Sequence, residues 1–467
     1  MSSFFIIKIN MEETLLISQH IQFIDISEDI ALFFQTETLQ IYPLEKSGEL
    51  YKFLFNLKEK GIAETKLLYS KEEFSELFDF IEQKILNSPK TLVSEKDNTE
   101  TNFSTVILPI SDKCNLTCPY CFAQTEEGFR FESFSLKQID DVIDFLINNQ
   151  SKDNEKLYIT FFGGEPLLNF EAIEYTISLF KNKYPQQKVG YSITTNGTIL
   201  DEKIISVFKE NNFAILISLD GPENEFNLRK FKNGKSSLNT VLNNLNILKQ
   251  NGLFPQIRAT MVSDNQYICQ TFDFFEKLQM PFNVVFAYVS ENKTHEHATY
   301  NENNLENIKQ QLNELLLYYV DKLNKREPIF SQAIKNYSSI LRFRIKEKKA
   351  CAAGVSFFTI TANGDIFSCS HLMNKPEYSI GNIFAGINKN YNFVVADIED
   401  MPECNDCWAK YLCRGGCFAQ KISMGKTNRS AKLPEECELD KLLWNFYIKL
   451  YYYVMKIAPE YFKKDEA

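Results

Sequence analysis

Between residues 103 and 289 the chain alternates short runs of β-branched and aromatic residues with amphipathic helical stretches, and this alternation limits the possible folds more than any other feature. The runs fall at 104–110, 156–162, 189–195, 214–219, 256–262 and 283–289. Helical patterns at 136–149, 171–183, 201–211, 238–250 and 266–278 lie between them. Strands alternating with helices of this length read as βαβ units around a parallel sheet. Six strands are fewer than a closed barrel needs, so the expected fold is α/β, a partial (β/α)6 TIM-like barrel. Its chemistry belongs at the carboxyl ends of the strands.

On either side lie units of different character. Residues 1–95 hold no Cys and read as an N-terminal α+β module, with strand-like runs at 4–9, 14–18 and 38–41 and helical patterns at 49–60 and 71–86. The polar stretch 94–101 reads as a linker. The barrel is expected over 103–310 and a helical bridge over 311–349, from patterns at 303–325 and 331–348. A C-terminal Cys-rich domain follows at 350–440, then a C-terminal helix over 441–467 that starts from about Glu438.

Composition narrows the function. Of 467 residues, 44% are hydrophobic and 24% charged, the balance of a globular chain. The formal net charge of −10 opposes general nucleic-acid binding, which needs surplus Lys and Arg. The four His (His20, His295, His297, His371) form no H-E-x-x-H, which excludes a zincin-type protease. No apolar run reaches the roughly 18 residues of a membrane span. The N-terminus shows no secretory pattern, so a cytoplasmic location is expected. In a reducing compartment eleven Cys point to metal or catalysis rather than disulfides.

Cys114, Cys118 and Cys121 form C-x3-C-x2-C in the loop after the first barrel strand. Four-iron clusters usually take four thiolates, so three nearby ligands leave one iron open. A zinc knuckle with a distant ligand, or three plain core cysteines, are the alternatives on spacing alone. The following strands end in Phe-Phe-Gly163-Gly164-Glu165-Pro, Thr-Thr-Asn196-Gly and Ser218-Leu-Asp-Gly-Pro. Gly there lets a backbone approach a ligand, although ordinary βα turns also use it.

With these motifs the sequence closely resembles the radical S-adenosylmethionine (SAM) superfamily over about residues 103–289. The resemblance implies that Cys114, Cys118 and Cys121 hold a [4Fe–4S] cluster whose fourth iron binds SAM. Reductive cleavage of SAM would then yield a 5′-deoxyadenosyl radical that abstracts hydrogen from substrate. It further implies that Glu165 and the Gly163–Gly164 backbone meet the SAM amino group, and that Asn196, Ser218 and Arg258 lie near its ribose and carboxylate. Arg258 suits a carboxylate because its fork donates two parallel bonds. No catalytic acid or base is assigned.

Seven further Cys follow in the order Cys351, Cys369, Cys404, Cys407, Cys413, Cys417 and Cys437. Asn363-Gly364 marks a tight hairpin that would return Cys369 toward Cys351. Gly415-Gly416 gives slack between Cys413 and Cys417. Seven thiols are too many for one zinc site, and two iron–sulfur clusters fit better, with a zinc ribbon as the alternative. The pattern resembles the SPASM extension of peptide-modifying radical SAM enzymes. That resemblance implies one auxiliary [4Fe–4S] cluster on Cys404, Cys407, Cys413 and Cys437. A second would sit on Cys351, Cys369 and Cys417, with an open iron or a non-Cys ligand. Cys269 reads as a small buried hydrophobe.

In anaerobic sulfatase maturases an Asp is expected immediately after the position of Cys369, and Ser370 stands there instead. An open auxiliary iron could bind a substrate thiolate, which favours a Cys-bearing peptide and a thioether cross-link. Other cross-links or an epimerisation stay open. The N-terminal module loosely resembles winged-helix-like elements that grip leader peptides by strand addition, the alternative being a generic capping domain. The expected protein is thus a radical SAM peptide (RiPP) maturase using SAM and three [4Fe–4S] clusters. Its partners would be a precursor peptide with leader and a reductant such as ferredoxin or flavodoxin, with no nucleic acid and no membrane. The rivals are a sulfatase-maturase-like enzyme and a non-catalytic iron–sulfur or zinc protein.

Overall fold

The computed structural model describes residues 21–81, 92–93, 102–123, 131–149, 156–222, 227–263, 267–287, 298–388 and 394–461. The expected strands at 4–9 and 14–18, the linker at 94–101, the helix beyond residue 81 and the strand end at 288–289 lie outside these residues. Three antiparallel strands come first, β1 (Ile21–Asp25), β2 (Ile30–Gln35) and β3 (Gln40–Glu45). The sequence reading found only the last of them, as 38–41. β2 is buried on both faces, so it carries no apolar–polar alternation to find. Two helices follow, α1 (Glu49–Lys66), which breaks at Gly61, and α2 (Lys71–Ile81).

Neighbouring side chains on a strand point to opposite faces, and β2 uses both. Phe33 packs with Ile21 against α1 and α2, while Leu32 and Phe34 enter the main core of the molecule. Phe34 meets Trp408 edge-on, and the Thr36 hydroxyl donates to the Trp408 carbonyl at 3.0 Å. The Glu37 carboxylate pairs with Lys346 at 2.7 Å and Lys410 at 2.9 Å. The N-terminal sheet is therefore fastened to the distant Cys-rich segment.

After the short β4 (Leu92–Val93), the main sheet runs in parallel through β5 (Thr105–Ser111), β7 (Lys156–Gly163), β8 (Lys188–Thr195), β9 (Ala214–Ser218), β11 (Gln256–Met261) and β12 (Phe282–Phe286). Two-residue strands β6 (Leu116–Thr117) and β10 (Lys230–Phe231) pair with each other outside it. The crossover helices are α3 (Leu136–Asn149), α4 (Phe170–Lys183), α5 (Glu202–Glu210), α6 (Leu238–Gln250) and α7 (Ile268–Leu278). Each element lies within about two residues of its sequence pattern, except β12, which ends at Phe286 rather than at 289. In α3 the buried residues are Ile139, Val142, Ile143 and Leu146, one helical stripe. The Asp201 side chain accepts from the Ile204 amide at 2.8 Å and starts α5.

Beyond the barrel come α8 (Glu302–Asn324) and α9 (Gln332–Phe343). The pattern ran to 348, but Arg344 takes a left-handed conformation that ends α9, and β13 (Ile345–Lys346) then pairs with β4. The Cys-rich segment contributes β14 (Phe357–Ile360), β15 (Asp365–Phe367), β16 (Gly381–Asn382) and β17 (Gly386–Ile387). β14 adds in parallel to β5, so this segment continues the barrel sheet, a pairing no local pattern announced. Gly364 turns the expected hairpin at φ +81°. Short helices α10 (Lys410–Cys413) and α11 (Phe418–Ser423) precede α12 (Pro434–Ile457). α12 starts at Pro434 rather than Glu438, because proline suits the first helical position, and this puts Cys437 in its first turn. No helix among the described residues is long and apolar enough to cross a membrane.

Glu37 yields a test of the N-terminal docking. Burial raises its carboxyl pKa, but the Lys346 and Lys410 ammoniums outweigh burial and leave it below the ordinary value. Its stabilisation is therefore present above the unfolded carboxyl pKa of about 4.3. It fades as pH falls through the lower folded value. Glu37→Gln should lose about 1–2 kcal/mol at pH 7 in urea unfolding. The gap from wild type should close in acid, and a gap independent of pH would disprove the pairing.

Candidate functional site

The site begins with a proline. Pro109 in the central strand β5 has no amide hydrogen, and the β5–β7 register shifts between Pro109 and Ser111. Beyond that irregularity Gly163 faces Ser111 at φ +135°, and a Cβ there would lie 2.4 Å from the Ser111 carbonyl oxygen. Glycine at 163 is thus required by the neighbouring backbone. The next amides hold the cysteine loop: Gly164 N–H donates to Ser111 O at 2.8 Å and Glu165 N–H to Lys113 O at 2.7 Å.

Glu165 is fully buried and does not line the cavity described below. Its carboxylate accepts from the Leu167 amide at 3.1 Å, the Thr195 hydroxyl at 2.8 Å and the Asn196 amide at 2.7 Å. Burial lifts its pKa to about 7 against the pull of these donors. The neighbouring Asn196 side chain donates to Asn115 Oδ1 at 2.8 Å and to Cys114 Sγ at 3.8 Å, and it accepts from the Thr198 hydroxyl at 2.7 Å. Residues expected to meet a ligand thus also hold the Cys114 loop to the ends of β7 and β8.

A cavity of about 310 Å³ opens at the carboxyl ends of the strands. Cys114, Cys118 and Cys121 line it with Gly163, Gly164, Asn196, Ser218 and Arg258. Ser218 and Arg258 are ladder partners on β9 and β11, which puts their side chains on one face. Glu165, behind the wall, is the one expected cofactor contact that stands apart. These eight, among the residues lining the cavity, were singled out from the sequence.

Three lining groups were not. Arg229 donates to Asp220 at 3.0 Å in a buried pair, lies over the Tyr120 ring and is a charge neighbour of Cys118. The Tyr120 hydroxyl donates to the same Asp220 carboxylate. Tyr120 sits inside the cysteine motif and could have been suspected, whereas nothing local marks Arg229. His371 stacks on Phe122 with centroids 3.8 Å apart, and Phe122 stacks on Phe162. Burial and the nearby Arg258 lower the imidazole pKa to about 3, so it is neutral. Its signal was being a rare His two positions after Cys369. Asn374 donates to Ala123 O at 3.1 Å, a second tie between the first cysteine loop and the Cys369 loop.

The other cysteines form two groups. Cys404, Cys407, Cys413 and Cys437 border one small cavity of about 30 Å³. Cys351, Cys369 and Cys417 are mutual charge neighbours. Burial pushes the Cys118 and Cys369 thiols up to about 12. Among the described residues no disulfide joins the eleven cysteines, and no three His, Cys, Asp or Glu side chains converge to hold one metal ion. Cys269 is half-buried in α7 and donates to Gln311 O at 3.2 Å. Thiol-only donor sets, two of them bordering a cavity and with cations nearby, suit polynuclear iron–sulfur clusters, whose thiolates bring net negative charge.

The sequence matches the Radical SAM superfamily over residues 108–265. It is 33% identical over 280 residues to the protein MJ0907 of Methanocaldococcus jannaschii, covering 60% of this chain and 88% of that protein. It is 26% identical over 351 residues to a serine-type anaerobic sulfatase-maturating enzyme of Bacteroides thetaiotaomicron, covering 68% and 83%. The radical SAM cyclopropyl synthase TigE of Paramaledivibacter caminithermalis is 25% identical over 435 residues, covering 85% and 89%. In fold the chain is similar to native anSMEcpe with bound AdoMet, with a TM-score of 0.62 at 20% identity over 78% of this chain and 99% of that one. It is also similar to Streptococcus suis SuiB bound to precursor peptide SuiA, with a TM-score of 0.50 at 15% identity over 89% and 98%.

The Glu165 geometry makes a prediction. In Glu165→Gln an amide NH2 must face one of three donors, which should cost about 1–3 kcal/mol in chemical denaturation. An unchanged unfolding midpoint would show that the carboxylate does not tie the strand ends together.

Proposed function

The chain belongs to the radical SAM superfamily and is a maturase-type enzyme, and from that premise we propose that it installs a radical-derived modification on a ribosomally made precursor peptide. The observation carrying this reading is the shared cavity, which both the Cys114–Cys121 loop and the Cys369 loop line. When bound, SAM and its [4Fe–4S] cluster supply one-electron cleavage of a sulfonium carbon–sulfur bond and a radical able to take hydrogen from carbon.

The residues divide the work. Cys114, Cys118 and Cys121 hold the first cluster, and Asn196 orients the Cys114 sulfur. The Gly163–Gly164 backbone flanks SAM, and Arg258 with Ser218 meets its carboxylate and ribose. Phe122, Phe162 and His371 wall the cavity against water. Cys404, Cys407, Cys413 and Cys437 hold one auxiliary cluster. Cys351, Cys369 and Cys417 hold the other, whose remaining position takes a non-Cys ligand or a substrate thiolate. A thioether is the product most in keeping with such a position.

In domain terms, residues 1–95 recognise the leader, 103–310 carry the chemistry, 311–349 bridge, 350–440 carry the auxiliary clusters and 441–467 close the chain. The three-stranded N-terminal sheet supports leader capture, since β1 and β3 each pair only with β2 among the described residues. Electrons come from a reductant such as ferredoxin or flavodoxin. The likeness in fold to SuiB bound to its precursor peptide SuiA supports a peptide substrate. Likeness to a sulfatase-maturating enzyme supports a second reading, modification of a protein side chain. Against it, Ser370 replaces the expected Asp, is buried and does not line the cavity.

Anaerobically purified protein should contain about a dozen iron atoms per chain, four for each cluster. Zinc without iron would overturn the reading. Cys114→Ala should abolish conversion of SAM to 5′-deoxyadenosine, while Cys404→Ala retains part of it. Full cleavage in the Cys114 variant would refute the ligand assignment.

A further inference from the structure

Lys421 stands out among the buried charges of the Cys-rich segment. Its side chain, on α11, is 0% exposed. The ammonium donates to the Asn428 carbonyl at 2.8 Å and lies 3.6 Å from the Met401 sulfur, and it forms no ion pair among the described residues. Other buried cations have a carboxylate: Lys432 has Asp440, Arg229 has Asp220 and Lys322 has Glu276. Burying an ammonium without a counter-charge is strongly unfavourable.

Its charge neighbours show what supplies the balance. They are Cys404, Cys413 and Cys417, with Lys432 as a further cation. Cys404 and Cys413 belong to one thiol group and Cys417 to the other. Neutral thiols leave Lys421 unbalanced, whereas the same sulfurs as cluster-bound thiolates would surround it with negative charge.

We infer that Lys421 is the shared counter-ion of the two auxiliary clusters, one buried cation that raises the reduction potential of both. The inference rests on the auxiliary ligand assignment made above. Each added electron makes a cluster more negative, so a fixed cation nearby stabilises the reduced form most. Low local polarity carries the effect to both clusters. Lys421 would act through the clusters and touch no substrate. The competing explanation is purely mechanical, that it pins the loop at Asn428, whose side chain also donates to Val394 O.

The test compares full-length holoenzyme of wild type, Lys421→Met and Lys421→Arg by iron content and by potentiometric electron paramagnetic resonance. In Lys421→Met the reduced-to-oxidised ratio of both auxiliary clusters, at a potential fixed near the wild-type midpoint, should fall about tenfold, equivalent to about 59 mV for one electron. Lys421→Arg, which keeps the charge, should stay close to wild type. Iron lost from the Met variant but kept by the Arg variant also supports the charge role. The inference is overturned if neither midpoint or only one moves, if Arg shifts as far as Met, or if iron is lost equally from both variants. A wild-type holoenzyme holding a single cluster sinks the ligand assignment and this inference together. A full set of clusters with unmoved potentials sinks the inference alone.

Discussion

One buried residue, Glu165, joins the ends of three adjacent strands. Glu165 takes the Asn196 and Leu167 amides and the Thr195 hydroxyl, while its own amide reaches back to Lys113 beside the first cysteine. Each of the three groups bonded to this carboxylate donates to it. The arrangement has low tolerance for error, because any lost partner leaves a polar group buried without one. In exchange, the Cys114 loop is held by both backbone and side-chain bonds.

The cysteine sites share an electrostatic pattern. Burial, with help from neighbouring negative groups, pushes the Cys118 and Cys369 thiols up to about 12 and keeps them protonated. Each group also has a cation nearby: Arg229 by Cys118, Lys432 by Cys413 and Cys437, and Lys421 as a charge neighbour of Cys404, Cys413 and Cys417. A chain with net charge −10 thus places positive side chains beside its clustered cysteines. Such an interior favours ligands that arrive with metal and carry off the thiol protons.

The parts are also mechanically linked. The first cysteine loop touches the Cys369 loop through Phe122 on His371 and through Asn374 on Ala123. β14 extends the barrel sheet from β5, and Glu37 ties the N-terminal sheet to Lys346 and Lys410 near the same segment. The Cys369 loop thus packs directly against the wall of the 310 Å³ cavity.

The six barrel strands and their helices were legible because their spacing is local: an apolar stripe on α3 or a cap at Asp201 is written within a few residues. So were the ten clustered cysteines and the Gly-Gly-Glu-Pro turn. β2 was missed because burial on both faces erases its period, and α9 was overrun because its stop is a non-glycine left-handed residue, Arg344. By itself the sequence determined the order of elements and the thiols available. Only the tertiary structure decided that β14 joins β5, that Glu165 faces inward, and that Arg229, His371 and Lys421 stand where charge or contact matters. Those outcomes depend on which surfaces meet across hundreds of residues. Burial and pairing energies arise from that meeting, and no short window of sequence contains them.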